Sequence, residues 1–269
     1  MESIQISFNL TNKCNLSCIY CAIDNEKSKT TDLIPEVAIK GYKRIRKKYP
    51  NEWLDLNCMA NGEPLLNWES IETIDRIKTL DDKVRCFVTT NGTLQDKCLE
   101  LARRNWIVTV SYDGIDNQKL RGKSNEVENT IRKLAENKNY KFLVRMTMSP
   151  KDLNHLDKSL NKIKELGVKY VALGLTFPFG RFNSKELKES FDLNKLYNSL
   201  KYAEGIGLKP ILTLQQACTL ATKGYYIMPN GKVSICYVKH IEPNKKNRQK
   251  AEIQGCILYN YKNLFKSNS

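Results

Sequence analysis

The chain alternates short apolar segments with longer segments in which apolar residues recur every three or four positions. The short segments are rich in β-branched and aromatic residues, which predicts strands, and the longer ones predict amphipathic helices. The predicted strands are 4–8, 53–59, 84–89, 106–111, 142–148 and 168–175. The predicted helices are 36–48, 68–80, 94–104, 127–137, 154–166 and 193–204.

Repeated strand–helix–strand order up to about residue 210 predicts right-handed βαβ units and a parallel sheet. Six such units suit an α/β fold, a partial (β/α)6 barrel. Enzymes with parallel sheets build their sites on the loops that follow the carboxyl ends of the strands. We therefore expect one functional rim from the loops that hold NLTNKCNLSCIYC (9–21), NGEPLLN (61–67), TNGT (90–93), SYDG (111–114) and FPFGR (177–181).

After residue 210 the alternation stops, so we predict a barrel over 1–210 and a small second unit over 211–269. Residues 224–236 read as two short strands joined by a turn at Pro229-Asn230-Gly231. Cys218 precedes this hairpin, Cys236 ends it and Cys256 follows. This spacing indicates a unit held together by sulfur ligation.

Composition is that of a globular protein, with 41% hydrophobic and 27% charged residues. No apolar run approaches the roughly 18 residues that span a membrane, and residues 1–13 lack the features of a signal peptide. We therefore expect no membrane association and a cytoplasmic location. The formal net charge of +15 fits a solvated, lysine-rich surface, although the basic segment 211–269 could also attract an acidic peptide or a nucleic acid.

Nine cysteines in a reducing compartment favour metal ligation or burial over disulfides. Cys14, Cys18 and Cys21 form a C-x3-C-x2-C array, with Tyr20 before the last cysteine. Thiolates are soft ligands that select zinc, copper(I) or iron–sulfur clusters. Three neighbouring thiolates can hold three corners of a four-iron cluster and leave one iron open, or bind zinc together with a distant fourth ligand.

This array after a first strand resembles the signature of the radical S-adenosylmethionine (SAM) superfamily. The resemblance implies a 4Fe-4S cluster on Cys14, Cys18 and Cys21, with SAM on the open iron and a 5′-deoxyadenosyl radical as the reactive product. It also implies that Tyr20 packs over the cluster as an apolar cover.

Other motifs resemble the SAM-binding elements of this superfamily. Gly62, Glu63 and Pro64 resemble its GGEP motif, which meets the SAM amino group, although Asn61 replaces the first glycine. Ser111 and Arg145 resemble the serine and arginine that contact the carboxylate and ribose of SAM in the peptide-modifying branch. Arg145 has the alternative of being a surface strand residue.

Three further residues are candidate SAM contacts on the same resemblance. Phe179 lies in a segment that resembles the loop near the adenine. Asn91 and Asp113 belong to the loops after the third and fourth strands, where each is followed by glycine. Asn91-Gly92 and Asp113-Gly114 have the alternative of being ordinary turns.

The segment 218–236 resembles the start of a SPASM or twitch extension, which implies an auxiliary iron–sulfur cluster on Cys218, Cys236 and Cys256. Buried, unligated thiols are the alternative for these three. Packing is the expected role of Cys58, Cys86 and Cys98. A thiol that faces the substrate could instead donate a hydrogen atom, and Cys58 and Cys256 are the candidates for that role.

The resemblance implies an enzyme that abstracts a hydrogen atom from a substrate carbon and draws electrons from a donor such as flavodoxin or ferredoxin. A ribosomally made peptide is the expected substrate, and its modification would be crosslinking, oxidation or epimerisation. A small molecule such as an aminosugar is the alternative. A zinc or iron–sulfur protein that binds nucleic acid without radical chemistry is a less favoured alternative of another class.

Overall fold

The computed structural model of the protein describes residues 3–21, 31–175, 192–213 and 224–234. Its strands are β1 Ser3–Asn9, β2 Trp53–Met59, β3 Val84–Thr90, β4 Ile107–Ser111, β5 Lys141–Met148, β6 Tyr170–Leu175, β7 Lys209–Leu212, β8 Gly224–Ile227 and β9 Val233–Ser234. Its α-helices are α1 Pro35–Lys48, α2 Trp68–Leu80, α3 Gln95–Arg103, α4 Asn117–Leu120, α5 Ser124–Glu136, α6 Leu156–Glu165 and α7 Leu193–Gly205.

All nine strands form one sheet in the order β7-β6-β5-β4-β3-β2-β1-β8-β9. Strands β1 to β8 are parallel to their neighbours, and β9 is antiparallel to β8. The α/β class and the partial barrel are confirmed. The sheet has nine strands and not six because β7 is added beyond β6, and the hairpin strands β8 and β9 are added beyond β1.

The predicted hairpin is present, and it belongs to the main sheet. Its turn closes with the Gly231 amide donating to the Met228 carbonyl (2.9 Å), and Gly231 has the positive φ of 75° that favours glycine. Strand β8 pairs with β1 from Gln5 to Phe8. Ile227 packs against Gly41 of α1, where a β-carbon would lie 2.5 Å from its Cδ1 atom. The division of the chain after residue 210 stays a prediction.

The two faces of the sheet differ in chemistry. Because strands β1 to β7 follow one another in a single direction, right-handed crossovers place all the connecting helices on one side. Ile6 and Phe8 of β1 point to that side and are fully buried with the helices. The opposite side, called the inner face below, carries polar side chains such as Ser7 and Asn9. Polar groups in this position are available for ligand binding at the carboxyl ends of the strands.

Candidate active site

The three clustered cysteines lie in the loop that follows β1. Residues 10–21, called the cysteine loop, carry Cys14, Cys18 and Cys21, and all three side chains are half-buried. Burial raises the pKa of the Cys14 and Cys18 thiols. Binding of a metal centre by these thiolates would therefore release protons.

The loop after β2 is bonded to the cysteine loop through its backbone. The Gly62 amide donates to the Thr11 carbonyl (3.1 Å), and the Glu63 amide donates to the Lys13 carbonyl (2.7 Å). A β-carbon on residue 62 would lie 1.9 Å from the Lys13 carbonyl oxygen. Glycine is required here because two backbones approach each other at a distance that excludes any side chain.

Glu63 is a buried carboxyl that joins the loops after β2 and β3. It is 1% exposed and accepts hydrogen bonds from the Thr90 hydroxyl (2.7 Å), the Asn91 amide (2.7 Å) and the Leu65 amide (3.1 Å). Burial raises its pKa to about 7, even though these donors favour the charged form. A cation beside this carboxylate would strongly stabilise its charged form.

Asn91 connects the loop after β3 to the cysteine loop. Its side-chain amide donates to the side-chain oxygen of Asn15 (2.8 Å), which lies between Cys14 and Cys18. Asn15 in turn donates to the Thr93 hydroxyl (2.7 Å). Gly92 has a positive φ of 78°, so Asn91-Gly92 is also a turn. In this structure the Asn91 side chain supports the cysteine loop directly.

Asp113 is the buried centre of a polar network at the end of β4. Its carboxylate accepts hydrogen bonds from the Tyr20 hydroxyl, from the Arg121 Nε atom (2.6 Å) and from the Thr147 amide (2.9 Å). Both oxygen atoms are therefore bonded to protein groups. Tyr20 was expected to pack over the cluster as an apolar cover. Its hydroxyl group also links the cysteine loop to the Asp113 carboxylate by a hydrogen bond.

Arg121 is a site residue that the sequence reasoning missed. Its side chain is 11% exposed, its guanidinium carbon lies 5.1 Å from the centre of the Tyr20 ring, and its Nη1 atom lies 4.0 Å from the Cys18 Sγ atom. In the sequence, Arg121 stands seven residues after SYDG (111–114), and neither its residue type nor its spacing marks it as a site residue.

Ser111 and Arg145 lie side by side on β4 and β5. Their α-carbons are register partners, and the Tyr112 amide donates to the Arg145 carbonyl (3.0 Å). Arg145 is half-buried, and its Nη2 atom would lie 3.3 Å from a β-carbon added at Gly174 of β6. The guanidinium therefore extends toward β6 and the carboxyl ends of the strands.

Cys58 does not lie where a hydrogen donor would need to be. Its side chain is on the helix-facing side of β2, 1% exposed, within the same apolar core as Cys86 and Cys98. Burial raises its pKa well above the ordinary value, and the nearby carboxylate of Asp75 in α2 acts in the same direction. The suggestion that Cys58 faces a substrate is corrected here, because its strand position directs the side chain away from the inner face.

Four of the predicted site residues lie outside the described residues: Phe179, Cys218, Cys236 and Cys256. The hydrogen-donor role of Cys256 and the auxiliary cluster therefore stay predictions. Among the described helices, none is long and apolar enough to cross a membrane.

A single zinc ion is the alternative metal centre for the cysteine array. A tetrahedral zinc with Zn–S bonds of about 2.3 Å holds its sulfurs about 3.8 Å apart. In the described part of the chain, the group of three or more ligand atoms within 4.8 Å of one another is that of Asp116, Asp152 and His155. Cys14, Cys18 and Cys21 do not form such a group among the described residues.

The chain matches the family described as the Radical SAM superfamily over residues 8–152, more than half of its length. It belongs to the radical SAM superfamily. The matched region of this radical SAM protein begins in β1 and includes the cysteine loop, Gly62 to Pro64, Ser111 and Arg145. Superfamily membership makes it an iron–sulfur enzyme.

Curated relatives of this radical SAM protein differ in their chemistry. The antilisterial bacteriocin subtilosin biosynthesis protein AlbA of Bacillus subtilis is 23% identical over 252 residues, which cover 87% of this chain and 54% of AlbA. A probable GTP 3′,8-cyclase of Methanocella arvoryzae is 32% identical over 122 residues, 45% of this chain and 37% of the cyclase. The chain thus spans about half the length of AlbA and less of the cyclase.

Among solved structures, SuiB of Streptococcus suis bound to the precursor peptide SuiA superposes with a TM-score of 0.68. Its sequence identity is 14%, and the match covers 91% of this chain and 62% of SuiB. SuiB has also been solved with S-adenosylmethionine, with a TM-score of 0.66. At this identity the likeness shows a shared fold.

Proposed function

We propose that this radical SAM enzyme binds a 4Fe-4S cluster through Cys14, Cys18 and Cys21. The bound cluster and SAM would together supply a 5′-deoxyadenosyl radical that abstracts a hydrogen atom from a substrate carbon. The contribution of the chain is to hold both cofactors in fixed geometry.

The attachment of three neighbouring loops to the cysteine loop carries this proposal. The loop after β2 holds Thr11 and Lys13 through backbone hydrogen bonds, and the loop after β3 holds Asn15 through Asn91. The α4 segment, which follows β4, accepts a hydrogen bond from the Ile19 amide through the Leu120 carbonyl (3.0 Å). A loop held at both ends and between its cysteines can present three thiolates without a costly rearrangement when the metal centre binds.

The buried polar groups at this rim fit the two charged ends of an amino-acid moiety such as that of SAM. Glu63 would bind the ammonium group, because its desolvated carboxylate is stabilised by a cation. Arg145 and Ser111, neighbours on the inner face, would donate hydrogen bonds to the carboxylate and the ribose. Gly62 and Pro64 would shape the loop that presents Glu63.

Reconstitution with iron and sulfide under anaerobic conditions tests the proposal. Incubation with SAM and a reductant is expected to yield 5′-deoxyadenosine, detected by liquid chromatography and mass spectrometry. Cys18→Ala should abolish the product. Cys86→Ala, which removes a core thiol of β3, should retain it. A reconstituted wild-type protein that forms no 5′-deoxyadenosine would contradict the proposal.

The proposal includes the unit predicted over 211–269, with Cys218, Cys236 and Cys256 as ligands of an auxiliary cluster. About four irons per chain would indicate one cluster, and about eight would indicate two. Triple replacement of these cysteines by alanine should lower the iron content by half if the second cluster exists. Unchanged iron content would contradict it.

The proposed substrate is a ribosomally made peptide. AlbA, named for bacteriocin biosynthesis, and SuiB, solved with a precursor peptide, support this choice. Free thiols and an iron–sulfur centre require a reducing compartment, so the proposal places the reaction in the cytoplasm with flavodoxin or ferredoxin as electron donor. The test is a mass change in a short peptide encoded beside the gene after incubation with enzyme, SAM and reductant.

A small-molecule substrate is the second candidate, supported by the relative named as a GTP cyclase. Consumption of a small molecule with no change in any neighbouring peptide would favour it. A zinc protein that binds nucleic acid is disfavoured by the radical SAM family match over residues 8–152. Stoichiometric zinc without iron after anaerobic purification would reverse that judgement.

A further inference from the structure

Two consecutive residues at the end of α4 hold the part of the cysteine loop between Cys18 and Tyr20. The Leu120 carbonyl accepts a hydrogen bond from the Ile19 amide (3.0 Å). Arg121 lies over the Tyr20 ring and directs its Nη1 atom toward the Cys18 Sγ atom (4.0 Å). The cation is thus fixed beside one of the three proposed cluster ligands.

Arg121 itself is held from both its backbone and its side chain. Its amide donates to the Asn117 carbonyl (2.8 Å), and the Asn117 side chain accepts a hydrogen bond from the Asp113 amide (3.1 Å). The guanidinium pairs with Asp113, which is fully buried. A guanidinium fixed in this way can direct a donor at a neighbouring sulfur with little loss of entropy.

Two opposite charges of this network, Arg121 and Asp113, act on Cys18. The guanidinium contacts the Cys18 sulfur, and the Asp113 carboxylate lies behind it on the Nε side. Reduction potentials of iron–sulfur clusters depend on net charge nearby and on hydrogen bonds to the sulfurs. A buried cation at a ligand sulfur stabilises the reduced cluster, because reduction adds a negative charge where solvent screens poorly.

We propose that Arg121 is a positioning residue that sets the reduction potential of the cluster through its contact with Cys18. The inference rests on the proposed cluster at Cys14, Cys18 and Cys21. It assigns opposite effects to the two partners of the ion pair: Arg121 raises the potential, and Asp113 moderates that increase.

The test is an anaerobic redox titration of the reconstituted protein, followed by electron paramagnetic resonance, with iron content measured for every variant. Arg121→Gln should lower the equilibrium constant for reduction about tenfold, a shift of about 59 mV to more negative potential for a one-electron couple. Arg121→Lys keeps the charge and should shift the potential by less than half as much.

Asp113→Asn should shift the reduction potential in the opposite direction from Arg121→Gln. It removes the negative charge with little change of shape and leaves Arg121 uncompensated, so the potential should become more positive. Arg104→Gln is the matched control. Arg104 lies at the carboxyl end of α3, near the amino end of β4 and away from the cysteine loop, and pairs with Glu72, Asp75 and Glu100. Its loss should leave the potential unchanged.

An unchanged potential in Arg121→Gln, or an equal shift in Arg121→Lys and Arg121→Gln, would overturn the inference. If Arg121→Gln does not take up iron, Asp113→Asn decides: a positive shift supports the inference, and no shift or a negative one overturns it. Failure of the proposed function is a different result, because the wild-type protein would then contain no redox-active cluster to titrate.

Discussion

Gly62 lies so close to Lys13 that a β-carbon at residue 62 would be 1.9 Å from the Lys13 carbonyl oxygen. This approach brings the Glu63 amide onto the same carbonyl (2.7 Å) one residue before Cys14. The conformation of the cysteine loop therefore depends on the absence of a side chain in the loop after β2.

Gly62→Ala should displace the cysteine loop, because the new methyl group meets backbone atoms that cannot rotate away. We expect a loss of about 1–3 kcal/mol in the free energy of unfolding and a marked decrease in iron uptake. Thermal unfolding and iron analysis measure the two effects. Gly205→Ala is the matched control, since its added methyl group meets nothing within 4 Å apart from its chain neighbours and the backbone of its own helix. Similar iron contents in the two variants would contradict the prediction.

The buried carboxyl of Glu63 should make the stability of the metal-free protein depend on pH. Its pKa rises from 4.5 to about 7 in the folded chain, so between these values the folded state holds a proton that the unfolded state has released. The free energy of unfolding then falls as pH rises through this window. The total change is about 3 kcal/mol, at about 1.36 kcal/mol per pKa unit.

Glu63→Gln should remove this part of the pH dependence, because the amide does not titrate. Urea denaturation at several pH values between 4.5 and 7 measures the slope for wild type and variant. Glu136→Gln, at an exposed position of α5 (61% exposed), should keep the wild-type slope. If Glu63→Gln also keeps it, the carboxyl is not the source.

The hydroxyl of Tyr20 should contribute to stability through its hydrogen bond to the Asp113 carboxylate. Tyr20→Phe keeps the ring beside Arg121 and removes only this bond. We expect a loss of about 1.5–3 kcal/mol in the free energy of unfolding, the usual range for a hydrogen bond to a charged group. Tyr202→Phe, which removes an exposed hydrogen bond to Asn161 (3.0 Å), should cost less than about 0.5 kcal/mol; equal losses would argue against the buried bond.

Thiol reactivity should separate the cysteines of the loop from those of the core. In the metal-free folded protein, Cys14, Cys18 and Cys21 are half-buried, whereas Cys58 is 1% exposed. We expect iodoacetamide to modify Cys58 at least tenfold more slowly than Cys14, as measured by peptide mass spectrometry. In denaturant both should react alike. Modification of Cys58 at the rate of Cys14 in the folded state would show that it faces an accessible cavity after all.

Local patterns were sufficient for most of the fold. Strand β2 and helix α2 have the predicted bounds. Their pattern of apolar and polar residues is uninterrupted, so it indicates which side chains are buried at every position. Helix α5 begins three residues before its predicted start, at Ser124, directly after the left-handed residues Gly122 and Lys123. Strands β7 and β8 were not predicted as members of the sheet, because they are four residues long and are defined by pairing with β6 and β1.

The functional site also contains some features that local sequence predicts and others that depend on tertiary contacts. The cysteine array and Gly-Glu-Pro can be recognised from spacing and residue type, which are properties of a few consecutive residues. Arg121 lacks such a signal, because its role depends on contacts with Cys18 and Asp113, which are 103 and 8 residues away.

The sequence by itself determined the α/β class, the three soft ligands in one loop and the superfamily, because periodicity and ligand spacing are local properties. Only the tertiary structure decided that Cys58 faces the core, that Glu63 is a desolvated carboxyl, and that a buried ion pair lies against Cys18. Burial, desolvation and charge proximity are set by which distant segments pack together, and no short stretch of the chain contains that information.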